Sequence, residues 1–408
     1  MSAASVRDDF PTMRKEKGVY LDSACQSLRP DSVIRAVAEY YEDCPVCSGR
    51  SVYSMADRVS VRIDETREAL ARFFSGEDPE SFIFTRNTTE GINAVAQGIG
   101  LKKGDTVVTT DCEHNSNSVP WLMLERNRGI RRRMSASGKT GEFDIESFKS
   151  CMGGDVKMVS VCQSTNVTGC RVPLKAVTEI AHDCGALVTV DAAQGAPHIK
   201  TDLKDLDVDF YCASLHKMLG PSGMGFMYGK PECLKSLRAP YTGGGTVDMA
   251  TYDNVAFTSG PGRFEAGLQD YAGIFGTKAA VEYLENVGMD FVESNDRALM
   301  RAMFDETQGL KNLSIVGPKN PDERCGVFSF NIDGLKNMDV AMMLDSLDGI
   351  MVRSGMHCAH SFYAARGIDG SVRASTYLYN NKEDISRFGK AVRNIAAKAA
   401  SKRRRLFR

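Results

Sequence analysis

Of three residues with catalytic side chains, two stand where apolar runs break off. Lys217 lies at a bend between Asp209-Phe-Tyr-Cys-Ala213 and Gly225-Phe-Met-Tyr228, each of which reads as a short buried strand. Ser214 and His216 precede the lysine, and Gly220, Pro221, Gly223 and Gly225 follow it. A lysine in this place either points at water from a turn or sits dry in a crevice. Burial lowers the pKa of an amine, and a partly neutral amine condenses with an aldehyde to a Schiff base. Asp191 ends the β-rich run Ala186-Leu-Val-Thr-Val-Asp191. A carboxylate at the C-terminal edge of such a strand faces the ligand crevice of an α/β sheet or caps the next helix. Cys358 follows Arg353 and lies between His357 and His360, neighbours that favour its thiolate.

A lysine and a carboxylate on neighbouring strands meet the needs of pyridoxal phosphate (PLP), whose ring nitrogen must stay protonated for the ring to act as an electron sink. A phosphate seat is also present. Arg86-Asn-Thr-Thr-Glu-Gly91 follows a strand and opens a helix, so Thr88 and Thr89 supply hydroxyls beside free backbone N–H groups and the positive end of the helix dipole. The same residues read equally as a threonine N-cap with Glu90 in the first turn, and the two readings are compatible. His114 stands in a loop that begins where another strand ends.

The elements that must position these groups alternate. Phe82–Thr85, Thr106–Thr110, Met158–Val161 and the runs at Asp191 and Lys217 read as strands. Residues 89–99, 118–127 and 174–184 read as the helices between them. That order predicts a mainly parallel sheet with helices on both faces. Upstream, a helix is expected from Asp31 to Tyr41 and another over residues 57–74. Residues 243–262 read as loop, and 268–287 as a helix leading into a smaller α+β region. The chain's 408 residues are enough for two domains, and 51 Lys and Arg balance 52 Asp and Glu, so no overall field calls for nucleic acid or a membrane surface. Twelve irregularly spaced cysteines do not form a disulfide framework, which points to a reducing compartment; Cys162, Cys184 and Cys212 sit in apolar patterns and read as core. No stretch is long and apolar enough for a membrane span or a signal peptide, so a cytoplasmic protein is expected.

Several motifs carry a family resemblance. Val190-Asp-Ala-Ala-Gln194, Ser214-Leu-His-Lys217 with its Gly-Pro-Ser-Gly tail, Phe264-Glu-Ala-Gly267, Arg353-Ser-Gly-Met-His-Cys358-Ala, and Arg373-Ala-Ser with Tyr379-Asn resemble the group II cysteine desulfurase and selenocysteine lyase branch of the class V aminotransferases. They occur in the family's order from about Val19 to Asp384. The resemblance implies a fold type I PLP-dependent transferase of α/β class that forms a homodimer. Its large PLP-binding domain, built on a mainly parallel seven-stranded sheet, would occupy 31–288. A small C-terminal domain carrying the catalytic cysteine would occupy 289–408, with 1–30 packing against it.

The resemblance also implies roles. PLP would be bound to Lys217, with its phosphate on Thr88, Thr89, Ser214 and His216, its ring nitrogen on Asp191, its ring oxygen on Gln194, and a catalytic His114 stacked on the ring and shuttling protons. Asn166, Arg353, Arg373 and Arg50 would bind the substrate, Arg373 clamping its carboxylate through the planar guanidinium. L-Cysteine would become L-alanine, leaving a persulfide on Cys358. Few residues separate Cys358 from Arg373, which resembles the branch with a short, ordered cysteine loop and implies a dedicated sulfur-acceptor protein. The sulfur would serve iron–sulfur cluster assembly or thio-modification.

Two departures stand out. Leu268 replaces the threonine that reaches the partner subunit's cofactor phosphate in the family, and Cys44-Pro-Val-Cys47 has no counterpart in ordinary desulfurases. The paired cysteines are similar to a feature of the archaeal enzyme that converts phosphoseryl-tRNA to cysteinyl-tRNA, which keeps a tRNA partner open beside selenocysteine lyase activity. They would act as a sulfur relay near the site entrance, as ligands of an unspecified metal, or not at all. Basic residues at Arg126, Arg128, Arg131–Arg133 and Lys402–Arg405 leave an RNA-binding scaffold as the non-enzymatic alternative.

Overall fold

A computed structural model describes residues 6–49 and 51–406, with side chains through Ser401. After a two-residue strand β1 (Val19–Tyr20), the alternating runs form one sheet of seven strands: β2 (Phe82–Thr85), β3 (Thr106–Thr110), β4 (Arg131–Ser135), β5 (Val156–Cys162), β6 (Leu187–Asp191), β7 (Phe210–Ser214) and β8 (Gly225–Gly229). Their order is β2-β8-β7-β6-β5-β3-β4. β8 runs antiparallel to both neighbours, and the remaining pairs are parallel.

Side chains that alternate across the pleat divide between two apolar layers. Val107 of β3 packs with Ile92, Val95, Trp121 and Leu124 from helices Thr88–Gly98 and Asn115–Arg128. Its neighbour Val108 belongs to the opposite layer, with Val59, Leu70, Val177 and Phe275 from helices Ser54–Phe73, Leu174–Asp183 and Tyr271–Val287. Close approach fixes the phosphate-seat helix on the sheet. A Cβ at Gly91 would lie 2.8 Å from Cys212 Sγ of β7, and one at Gly225 would lie 2.7 Å from the Cα of Asn87, so both positions take glycine.

Beyond Val287 the helix Met289–Thr307 leads into a second sheet. Strands β9 (Val247–Ala250) and β10 (Val255–Phe257) precede it as a hairpin inside the stretch expected to be loop. The second sheet uses β11 (Leu313–Val316), β12 (Val327–Ile332), β14 (Arg353–Gly355) and β15 (Ser371–Ser375), antiparallel in the order β11-β12-β15-β14. Its core joins Phe328 and Phe330 to Leu299, Leu344 and Phe388 from the covering helices. The N-terminal segment is sewn to this unit. β1 pairs in parallel with β13 (Ile350–Met351), Asp22 bridges Ser375, and the Leu28 N–H donates to the Tyr379 hydroxyl at 3.2 Å.

The structure corrects some sequence expectations. Arg131–Arg133 form the edge strand β4 instead of an open basic run, with Arg132 paired to Glu125 and Arg133 to Asp155. The helix expected from 268 begins at Tyr271, where the Asp270 carboxylate accepts from the Gly273 N–H at 2.9 Å. The side chains of Lys402–Arg405 lie outside those described.

Candidate active site

The loops that leave the C-terminal ends of β3, β5, β6 and β7 converge on a cavity of about 310 Å³, the crevice position expected for an open α/β sheet. Lys217 projects from a short turn after β7 and Asp191 from the end of β6. Both line the cavity, as do Thr88, Thr89, His114, Asn166, Gln194, Ser214 and His216 from the loops of the seven-stranded sheet, and Arg353, Cys358 and Arg373 from the four-stranded sheet and its loops.

Burial sets the ionisation of the central groups. It lowers the Lys217 ammonium to about 8, against the pull of Asp191 in the other direction. Burial raises Asp191, which is 4% exposed and accepts from the Ala193 N–H at 3.0 Å. His114 and His216 are each lowered to about 4, first by burial and then by the Lys217 charge, so both are neutral at neutral pH. Glu113 lies in the layer below. It accepts from Thr110, from Asn117 and from the Cys162 N–H, and burial raises it to about 7.

The helix start differs in detail from the threonine-cap reading. Asn87 is the N-cap, its side chain accepting from the Glu90 N–H at 3.0 Å. Thr88 is thereby released: its hydroxyl meets Ser214 Oγ at 2.7 Å and its N–H donates to the same oxygen at 2.8 Å. The Thr89 hydroxyl lies 2.7 Å from Ser116 Oγ, and Ser116 in turn contacts His114 Nδ1 at 2.9 Å. Hydroxyls and backbone N–H groups thus cluster at a helix N-terminus, where an anion is favoured.

These residues fit PLP. An amine, a buried carboxylate and a hydroxyl cluster at a helix N-terminus match its aldehyde, pyridine nitrogen and phosphate. Gln194 donates from Nε2 to the Ala24 carbonyl at 2.7 Å, while its buried Oε1 has no partner among the described residues. A buried polar atom without a partner suits a site whose guest completes it.

The opposite wall comes from β14 and β15. Arg353 and Arg373 are direct cross-strand neighbours, a like-charge pair that is unfavourable unless neutralised. Asp22 lies between them, with one oxygen 2.9 Å from Arg353 Nη2 and the other 3.5 Å from Arg373 Nη2. Arg353 also donates to Cys25 Sγ at 2.7 Å. Arg373 donates to the Asn166 carbonyl at 3.0 Å and keeps a buried, unpartnered Nε. Two guanidiniums against one carboxylate leave a positive site for an acid.

Cys358 is exposed at the rim. It and His357 both adopt positive φ, 55° and 49°, a region that costs a non-glycine residue energy and persists where the surroundings hold it. The holding groups are visible. The Asn166 side-chain amide donates to the His357 carbonyl at 2.6 Å, the Asn115 N–H donates to the Cys358 carbonyl at 2.7 Å, and helix His360–Arg366 starts immediately after.

Not every expected residue joins the cavity. Arg50 lies outside the described residues. Cys44 is buried at the end of helix Asp31–Asp43, where desolvation pushes its thiol up, and Cys47 is exposed; neither lines the cavity. Among the described residues no group of three or more His, Cys, Asp and Glu could hold a metal. Cys184 is half-buried beyond a helix end and is not core, while Cys162 is buried yet forms part of the cavity wall. Sequence reasoning missed Asp22, Cys25 and Glu113. The first two lie in the bridge and turn that follow β1, and nothing in their own neighbourhood in the sequence signals the arginines they meet.

Comparison with known proteins matches this geometry. Residues 19–388 fit the family Aminotransferase class-V, and the chain belongs to that family. A probable cysteine desulfurase of Synechocystis sp. is 37% identical, covering 95% of this chain and 94% of the relative. Among solved structures, the apo cysteine desulfurase from Thermococcus onnurineus superimposes with a TM-score of 0.93 at 33% identity, over 97% of this chain and 98% of that one. The Escherichia coli cysteine desulfurase CsdA, in an S-sulfonic acid form, gives 0.90 at 32% identity, over 98% and 99%.

Proposed function

We infer that the chain is a PLP-dependent cysteine desulfurase that converts L-cysteine to L-alanine. The observation that carries this reading is that Lys217, Asp191, Arg373 and Cys358 line one cavity. Bound PLP supplies the electron sink that makes the substrate's Cα proton and C–S bond labile. Lys217, Asp191 and Gln194 would hold it, with Thr88, Thr89, Ser214 and His216 around its phosphate. Arg373, held beside Arg353 by the shared Asp22, binds the substrate carboxylate. Lys217, lowered to about 8, is poised to take and return the proton at Cα. Neutral His114 neither repels the ammonium of Lys217 nor competes for Asp191. Cys358 takes the substrate sulfur as a persulfide, and alanine leaves.

The anchored cysteine loop supports delivery to an acceptor protein that comes to the rim, with the sulfur serving cluster assembly or thio-modification in the cytoplasm. A homodimer is supported by the exposed apolar side chains of Tyr241, Met249, Tyr252 and Leu268, which lie on one loop-and-hairpin segment. The test is to mix purified protein with cysteine and quantify alanine and protein-bound sulfane sulfur. Wild type should yield both and Cys358→Ser no bound sulfur. Alanine without bound sulfur in wild type would make the protein a lyase instead.

A further inference from the structure

Four cysteines line the cavity: Cys25, Cys112, Cys162 and Cys358. Two are inert. Burial pushes the thiols of Cys112 and Cys162 well up, and Cys112 Sγ lies against the Asp111 carboxylate at 3.5 Å, which further disfavours an anion there. Cys25 differs from both. It is half-buried, and its sulfur accepts from a guanidinium, Arg353 Nη2, at 2.7 Å. That guanidinium is itself fixed by two-pronged bonding to Asp22, through Nε at 3.1 Å and Nη2 at 2.9 Å. The guanidinium thus holds the sulfur at the cavity wall.

Cys25 is also held in place. Its N–H donates to the Asp22 carbonyl at 3.0 Å, and the Ala24 N–H donates to Ser375 Oγ at 2.9 Å, so the turn rests on the strand that carries Arg373. The wall around it is built for a polar guest: Asn166 Oδ1 and Gln194 Oε1 are more than nine-tenths buried and have no partner among the described residues.

We propose that Cys25 is a second sulfur carrier, which receives sulfane sulfur from the Cys358 persulfide within the cavity. This rests on the desulfurase reading. The Cys25 thiolate attacks the outer sulfur of the Cys358 persulfide. A new S–S bond forms on Cys25, the old one breaks, and its electron pair leaves with Cys358 as thiolate. The proton of the terminal SH travels with the transferred sulfur. No external oxidant or reductant enters, because one persulfide and one thiolate become one thiolate and one persulfide. Cys358 is then free for another turnover while the first sulfur remains bound.

The test is a persulfide map of the holoenzyme. Protein is loaded with excess radiosulfur-labelled cysteine without reductant, trapped with a thiol alkylator, digested and resolved by mass spectrometry. In wild type, label is expected on the peptides of both Cys25 and Cys358. Cys25→Ala and Cys25→Ser should each halve total bound label and confine it to Cys358. Cys358→Ser should carry label at neither position. Wild-type label confined to Cys358 overturns the relay, and so does labelled Cys25 in Cys358→Ser, which would make Cys25 an independent nucleophile. Absence of label from Cys358 in wild type would instead strike at the desulfurase reading itself.

Discussion

The side-chain amide of Asn166 donates to the backbone carbonyl of His357 at 2.6 Å, tying the loop after the central strand β5 to the loop that presents the nucleophile. The bond crosses from the seven-stranded sheet's loops to those of the four-stranded sheet, and both residues are buried. It is one of the contacts that hold two consecutive residues in the left-handed region.

Asn166→Ala should therefore act mainly on sulfur transfer. The His357 carbonyl would lose its donor, at a cost of about 1–3 kcal/mol for an unsatisfied buried group. The expected outcome is a lower melting temperature and a several-fold loss of persulfide on Cys358, with the colour of bound PLP retained. An unchanged persulfide yield would show that the loop holds its shape without this bond.

Uptake of PLP should depend on the free amine of Lys217. With its pKa lowered to about 8, the amine is protonated below that value and free above it. The rate at which cofactor-stripped protein regains visible absorbance on adding PLP should rise with pH through about 8 and then level. Lys217→Ala should bind PLP without forming a borohydride-reducible bond. A flat wild-type profile would mean that the amine is already neutral throughout.

Glu113 makes a stability prediction with a definite sign. Its folded pKa, about 7, lies above its ordinary value of 4.5, so between the two the unfolded chain is ionised while the folded one holds a proton. Its contribution is present at low pH and is lost as pH rises towards about 7. The melting temperature of Glu113→Gln relative to wild type should climb across that window and then hold constant. His357, lowered to about 3 by burial, works in the opposite sense, its contribution vanishing as pH falls below its ordinary 6.5. Comparing Glu113→Gln with wild type at each pH cancels the histidine effect. A pH-independent difference would place the Glu113 pKa near its ordinary value.

Leu268 is 72% exposed, an unusual place for a large apolar side chain amid other exposed apolar residues. Leu268→Asp should shift the sedimentation of the proposed dimer towards the monomer and reduce alanine formation. A fully active wild-type monomer would remove the dimer from the account.

Lys217, Asp191 and the helix start at Thr88 could be read from the chain because each interrupts an apolar run at the place where a strand of the large sheet must end. What stayed hidden depended on long-range pairing. Nothing near Asp22 or Cys25 announces that Arg353, more than three hundred residues later, will lie against them; the register of β1 on β13 brings them together. Strand β4 was hidden for another reason. Three consecutive arginines look like a solvated patch, yet an edge strand tolerates them because both of its faces are partly open, so that Arg132 on one and Arg133 on the other reach carboxylates on neighbouring elements. Cys184 misled because an apolar helical pattern does not reveal where the helix ends.

The stitching of β1 to β13 and of Asp22 to Ser375 bears on how the protein is made. During translation the large domain can begin to fold as its strands emerge in order, but the residues that close its cavity belong to the first and last parts of the message. The N-terminal strand must wait, unpaired, until nearly the whole chain has left the ribosome. A truncated product would display an open crevice without its arginine clamp or its nucleophile, so a premature stop would leave a polypeptide with Lys217 but no means of completing sulfur transfer.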